Sequence, residues 1–204
     1  MTSTAIALIP DRDNKHNLNK IIKDIQLPAL NIKAVSLRAQ KMLKGYCLHY
    51  GQIRDIQQAD TGVIIGLIVY FIAREPKINR TKLEAYILLV NIICCRAYNK
   101  ALIDCTLTSA GRIGCFTNLM NAMELNELIS PRKHNTYPLC TKASWIIAHS
   151  SNIFAGIEPV LRFILDTWGH LNGKQTLLDA LSLLRITSNA NGNVIDAEIL
   201  DKNE

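Results

Sequence analysis

Aromatic side chains are scarce in this 204-residue chain, at 6% of the total. A sandwich or barrel core leans on such residues, so the shortage turns attention to packed helices. No CxxC or HExxH spacing occurs, and the six cysteines (Cys47, Cys94, Cys95, Cys105, Cys115, Cys140) follow no regular framework, which argues against a zinc site or a disulfide scaffold. A reducing cytoplasm is the expected home, because no basic stretch followed by an apolar one stands near Met1. Long apolar runs are also missing. The strongest, "TGVIIGLIVYFIA" at 61 to 73, is shorter than the roughly 18 to 20 residues a spanning helix needs. It reads as a buried central helix, and no membrane partner is expected.

Catalytic patterns are absent too. "SAGRIG" lacks the lysine and the strand context of a phosphate loop, the carboxylates are scattered rather than paired, and nothing joins Cys115, His149 and Asp104 into a nucleophile, base and orienting group. A non-enzyme without cofactor or metal is expected.

What is present is a 49% hydrophobic content, enough for a sizeable core, and a formal charge of +6. The charge is uneven. Residues 1 to 60 hold nine Lys/Arg against five Asp/Glu, residues 61 to 150 ten against five, and residues 151 to 204 four against seven. A basic body with an acidic tail suggests a polyanionic partner.

Apolar spacing sets out a series of helices. Leu18, Ile21, Ile22 and Ile25 form a stripe at i, i+3, i+4, i+7 that ends at Pro28. A second basic amphipathic stretch, "NIKAVSLRAQKMLKGYCLHYG", ends at Gly45 or Gly51. The buried helix spans about 62 to 74. Asn79 or Thr81 caps a long helix to about 98, and the adjacent Cys94 and Cys95 within its apolar run read as small core residues. Thr108 or Ser109 caps a helix to about 125, although Gly111 and Gly114 weaken it by about 1 kcal/mol each. Further helices start at Thr141 or Ser144, run through "NIFAGIEPVLRFILDTWGHL" with a break at Pro159, and end with "GKQTLLDALSLLRI". The tail from 187 is acidic and expected to lack structure. The resulting organisation is basic N-terminal helices (1–60), a core (61–150), C-terminal helices (151–186) and a tail (187–204).

Between two of these helices lies "ELISPRKHNTYPLCTKASWII", residues 127 to 147. The order is a helix, Leu128-Ile129, a basic turn at Arg132, Lys133 and His134, then "TYPL" and another helix. The larger segment from Asn118 to Ile147 resembles the recognition helix and wing of winged helix-turn-helix regulators of the MarR and PadR groups. The resemblance covers roughly residues 62 to 150. It implies a mainly α fold with a small β-hairpin wing, a sequence-specific DNA-binding transcriptional regulator of bacterial or mobile-element type, double-stranded DNA as partner, and a homodimer paired through Ile164, Leu165, Leu177, Leu178, Leu181 and Leu184. It also assigns Arg132, Lys133 and His134 to the phosphate backbone or the minor groove.

On the helix, 100° per residue sets Gly114, Asn118, Asn121 and Ala122 roughly opposite the apolar set. The asparagines suit adenine edges and the small residues allow close approach. Arg112, Thr108 and Ser109 are expected to contact phosphate at the first turn. The bland alternatives are a solvated hairpin tip at 132 to 134, and a winged scaffold serving only as a protein-interaction module. "INRTKLEAYILLVN" and "FILDTWGHLNGKQTLLDALSL" are also similar to the helical pattern of phage-associated Panacea-type antitoxins, which would supply such a protein partner.

Overall fold

In the computed structural model, the described residues are 22, 23, 25, 27–43, 58–103, 112–114, 116–131, 136–188 and 194–199. Seven helices are complete among them: α1 (Ile32–Leu43), α2 (Gln58–Arg74), α3 (Arg80–Tyr98), α4 (Phe116–Leu125), α5 (Ala143–Ile153), α6 (Glu158–Trp168) and α7 (Gly173–Ser182). The protein is mainly α-helical, as the shortage of aromatics and the apolar spacing led us to expect.

The centre is the pair α2 and α3. Every residue from Thr61 to Ile72 is buried, as is every residue from Lys82 to Val90, so neither helix has a water-facing side over those turns. Such a helix draws its stability from the helices that cover it. α1, α4 and α5 pack on α2, while α6 and α7 pack on α3. One continuous apolar core runs from Ile32 in α1 to Leu183 beyond α7.

Local capping starts two helices, one at the expected Asn79 and one at Asn172, which the sequence reading did not single out. Asn79 has extended backbone, and its side chain accepts from the Lys82 amide at 3.0 Å, capping α3. Asn172 forms a capping box with Gln175 on α7: the Gln175 amide donates to Asn172 Oδ1 at 3.0 Å, and the Asn172 amide to Gln175 Oε1 at 3.3 Å. The break expected at Pro159 falls just ahead of it, over residues 154 to 157, and Pro159 stands in the first turn of α6, in keeping with proline's missing amide at a first helical turn.

Close packing fixes α2 at Gly66. A Cβ built there would lie 2.9 Å from Cζ of Phe154, a ring that is itself fully buried and meets Tyr70 edge-on at 5.9 Å. Asn91 performs a second fixing role on α3. Its Oδ1 accepts from the amides of Leu102 and Ile103, both at 2.9 Å, and its Nδ2 donates to the Ile103 carbonyl at 3.0 Å. One side chain thus satisfies three backbone groups of the segment that leaves α3.

Two expectations need correction. The helix expected from 108 or 109 begins only at Phe116, whose amide closes a turn on the Ile113 carbonyl at 3.1 Å. Glycines at 111 and 114 make helix costly there, and Arg112 and Gly114 consequently precede the helix instead of lying on it. Of the expected wing, the described residues show an antiparallel bridge joining Ile129 and Leu139, while its basic tip at 132 to 134 lies outside them. The tail differs as well. The backbone of Val194–Ile199 (β2) pairs antiparallel with Leu184–Ser188 (β1), with Leu184 opposite Ile199 and a register shift at Thr187/Ser188. Asn191-Gly192 between them is a strong hairpin signal that the composition of the tail hides.

Candidate nucleic-acid interface

α4 sits on the core through Phe116, Leu119, Met120 and Met123, all at most 3% exposed. Thr117, Asn118 and Asn121 face solvent. Ala122, expected on that outer face, is buried instead. It stands 100° beyond Asn121, far enough round the helix to meet the core.

The N-terminal end of α4 is tied to α3 by an ionic cluster. Glu84 is buried, its side chain only 2% exposed, and it accepts a short hydrogen bond from Nε of Arg112. Arg80, one turn back on α3, approaches the other carboxylate oxygen at 3.5 Å. Arg80 also donates to the Thr117 hydroxyl and lies 5.7 Å from the centre of the Phe116 ring. Loss of solvent raises the Glu84 acid above the usual carboxylate range, against the opposing pull of Arg112 and Arg80.

The other end of α4 closes with Glu127 in the left-handed region, φ 57°, and the Leu128 amide donating to Met123 at 2.9 Å. The chain then forms the bridge at Ile129. Ser130 donates its amide to Pro138 at 2.8 Å, and Cys140 donates to Leu128 at 3.0 Å. The exposed Lys142 and Glu127 pair at 2.6 Å, a surface contact of small energetic weight, and Lys142 holds the Glu127 acid below its usual value.

Beyond lies α5, which contains no Asp, Glu, Lys or Arg. Trp145, 39% exposed, stacks on His149 at 4.3 Å, and His149 Nδ1 donates to the Trp145 carbonyl at 2.8 Å. Ile147 is 36% exposed beside them.

The sequence candidates therefore fall into three groups. Asn118 and Asn121 share the outer face of α4. Arg112 and Gly114 precede it, with Arg112 engaged by Glu84. Thr108, Ser109, Arg132, Lys133 and His134 lie outside the described residues, as do Cys115 and Asp104. Of the residues expected to pair subunits, Ile164 is wholly buried in the core while Leu178 is 46% exposed. Sequence reasoning missed Arg80. Its spacing of four from Glu84 was a visible hint of a helical ion pair, but Thr117 and Arg112 come to it only through tertiary packing.

No helix among the described residues is long and apolar enough to cross a membrane. No group of three His, Cys, Asp or Glu among them is arranged to hold a metal ion. Comparison with protein-family models, with curated proteins and with solved structures gives no match for this chain.

Proposed function

We propose that the protein binds double-stranded DNA through α4, as a sequence-specific regulator of the winged-helix type and of bacterial or mobile-element kind, acting as a homodimer. The observation that carries the reading is the outer face of α4. It presents Thr117, Asn118 and Asn121 on a helix whose opposite side is fixed to the core. Asparagine can donate to and accept from an adenine edge, and Asn118 and Asn121 stand beside the exposed Leu125, with the partly exposed Glu124 at the rim of the same face. The bridge at Ile129 and Leu139 brackets the basic residues Arg132, Lys133 and His134, which suits a short wing laid along the backbone.

The test is binding to duplex DNA across roughly 50 to 300 mM salt, followed by selection of a preferred site. Arg132→Ala and Lys133→Ala should weaken binding to all sequences and each reduce the salt slope by about one, whereas Asn118→Ala or Asn121→Ala should alter sequence preference by about 1–3 kcal/mol at one position. Unchanged affinity in all four variants would sink the reading.

A second reading is favoured by α5. Its charge-free surface, with Trp145 and Ile147 exposed, has the character of a protein contact, since aromatic residues concentrate and charges thin out at the centre of interfaces. On that reading the protein is an adaptor or antitoxin. It would co-purify with a partner from its host, lose that partner on Trp145→Ser, and bind DNA no better than nonspecifically.

A further inference from the structure

Glu84 is the one acidic residue of α3, and it is shared by two arginines that reach it from different segments. The charges do not cancel: one carboxylate faces two guanidinium groups. Their exposure differs sharply as well. The Glu84 side chain is 2% exposed, while those of Arg80 and Arg112 are 32% and 29% exposed. A solute arriving from water therefore meets the cations first, with the carboxylate behind them. Nε of Arg80 and Oε1 of Glu84 stay 3.5 Å apart and make no hydrogen bond, so the hold on Arg80 is electrostatic and loose. The same Arg80 donates to Thr117 at the head of α4, with Asn118 next in the chain and Asn121 one turn on.

We propose that Arg80 and Arg112, with the Thr117 hydroxyl, form a seat for a backbone phosphate at the first turn of α4, and that Glu84 is the positioning residue that holds both arginines ready. This rests on the nucleic-acid reading above and deepens it. Guanidinium groups present fixed donor forks that match phosphate oxygens, and a phosphate held at the head of the helix would set the register in which Asn118 and Asn121 meet the bases. Glu84 lowers the net charge of the seat. Without it the arginines gain positive potential but lose their fixed placement.

The probe is a fluorescent duplex of random sequence about 20 base pairs long, titrated at several salt concentrations. Arg80→Gln and Arg112→Gln should each lower the log–log salt slope by about one and weaken binding about eightfold near 0.1 M salt, as expected for one lost phosphate contact. Arg80→Lys should retain the slope because it retains the charge. Glu84→Gln should bind random duplex more tightly at low salt, since an opposing charge is gone, while discriminating less between sequences. Thermal melts of each variant separate these effects from unfolding. Wild-type binding with the slope unchanged in both arginine-to-glutamine variants overturns the phosphate seat alone. No wild-type binding at the lowest salt overturns the nucleic-acid reading and the seat with it.

Discussion

Gly66→Ala provides a direct test of how α2 meets the turn after α5. In an open helix the replacement would stabilise by about 1 kcal/mol, because alanine loses less backbone freedom on folding. Here the new methyl would stand 2.9 Å from Phe154 Cζ. Phe154 is fully buried and held edge-on against Tyr70, so it cannot swing aside cheaply, and overpacking of this kind costs about 1–3 kcal/mol. The clash outweighs or cancels the propensity gain, and the single variant should be neutral to about 2 kcal/mol less stable. Shortening the opposing ring should restore the gain. In a Phe154→Leu background, Gly66→Ala should stabilise by about 1 kcal/mol, giving a coupling of about 1–3 kcal/mol in a double-mutant cycle. Urea unfolding of the four proteins, monitored by circular dichroism, measures this. A gain of about 1 kcal/mol from Gly66→Ala in both backgrounds, and hence no coupling, would refute the packing of Phe154 over α2.

The other predictions concern polar groups inside the bundle. Lys82 is buried and donates to Glu75 and to the Gly169 carbonyl, both at 2.6 Å; Lys82→Met should cost about 3 kcal/mol, the lower end for a broken buried pair because Glu75 is 25% exposed. A midpoint within 1 °C of wild type would contradict it. Asn91→Ala removes three hydrogen bonds at about 1 kcal/mol each, so hydrogen exchange at Leu102 and Ile103 should quicken ahead of exchange in α2. Protection unchanged at those two amides would count against it. For Glu84 the folded acid lies above its ordinary value, so its contribution to stability is present below that ordinary value and is lost as pH rises through the folded one. Glu84→Gln mimics the protonated form, and its stability relative to wild type should climb between acid and neutral pH; a fall over that range would mean that the ion pair, not desolvation, dominates.

Some of this architecture was legible because it is local. The run from Thr61 to Ala73 has no polar face, and burial of Thr61 to Ile72 follows from that alone. Asn79 stands before a good helical stretch and caps it. What depends on distant partners could not be read. Lys82 and Glu84 look like solvated positions near the start of a helix, yet both are buried, because Glu75 and the end of α6 neutralise one and Arg112 the other. The face of α4 was legible at Asn118 and Asn121, where helical geometry decides. It was not legible at Ala122, where only the position of the neighbouring core decides, nor at Arg112, which the glycines on either side place ahead of the helix.

The all-round burial of α2 bears on how the molecule breathes. A helix with an outward side can detach and return while the rest stays folded, but α2 has no covering helix that can be spared. The backbone amides from Ile64 to Tyr70 should therefore meet solvent deuterium only when the whole bundle opens. They form a built-in gauge of global stability, while amides of the outer helices α1 and α5 should report smaller, more frequent openings.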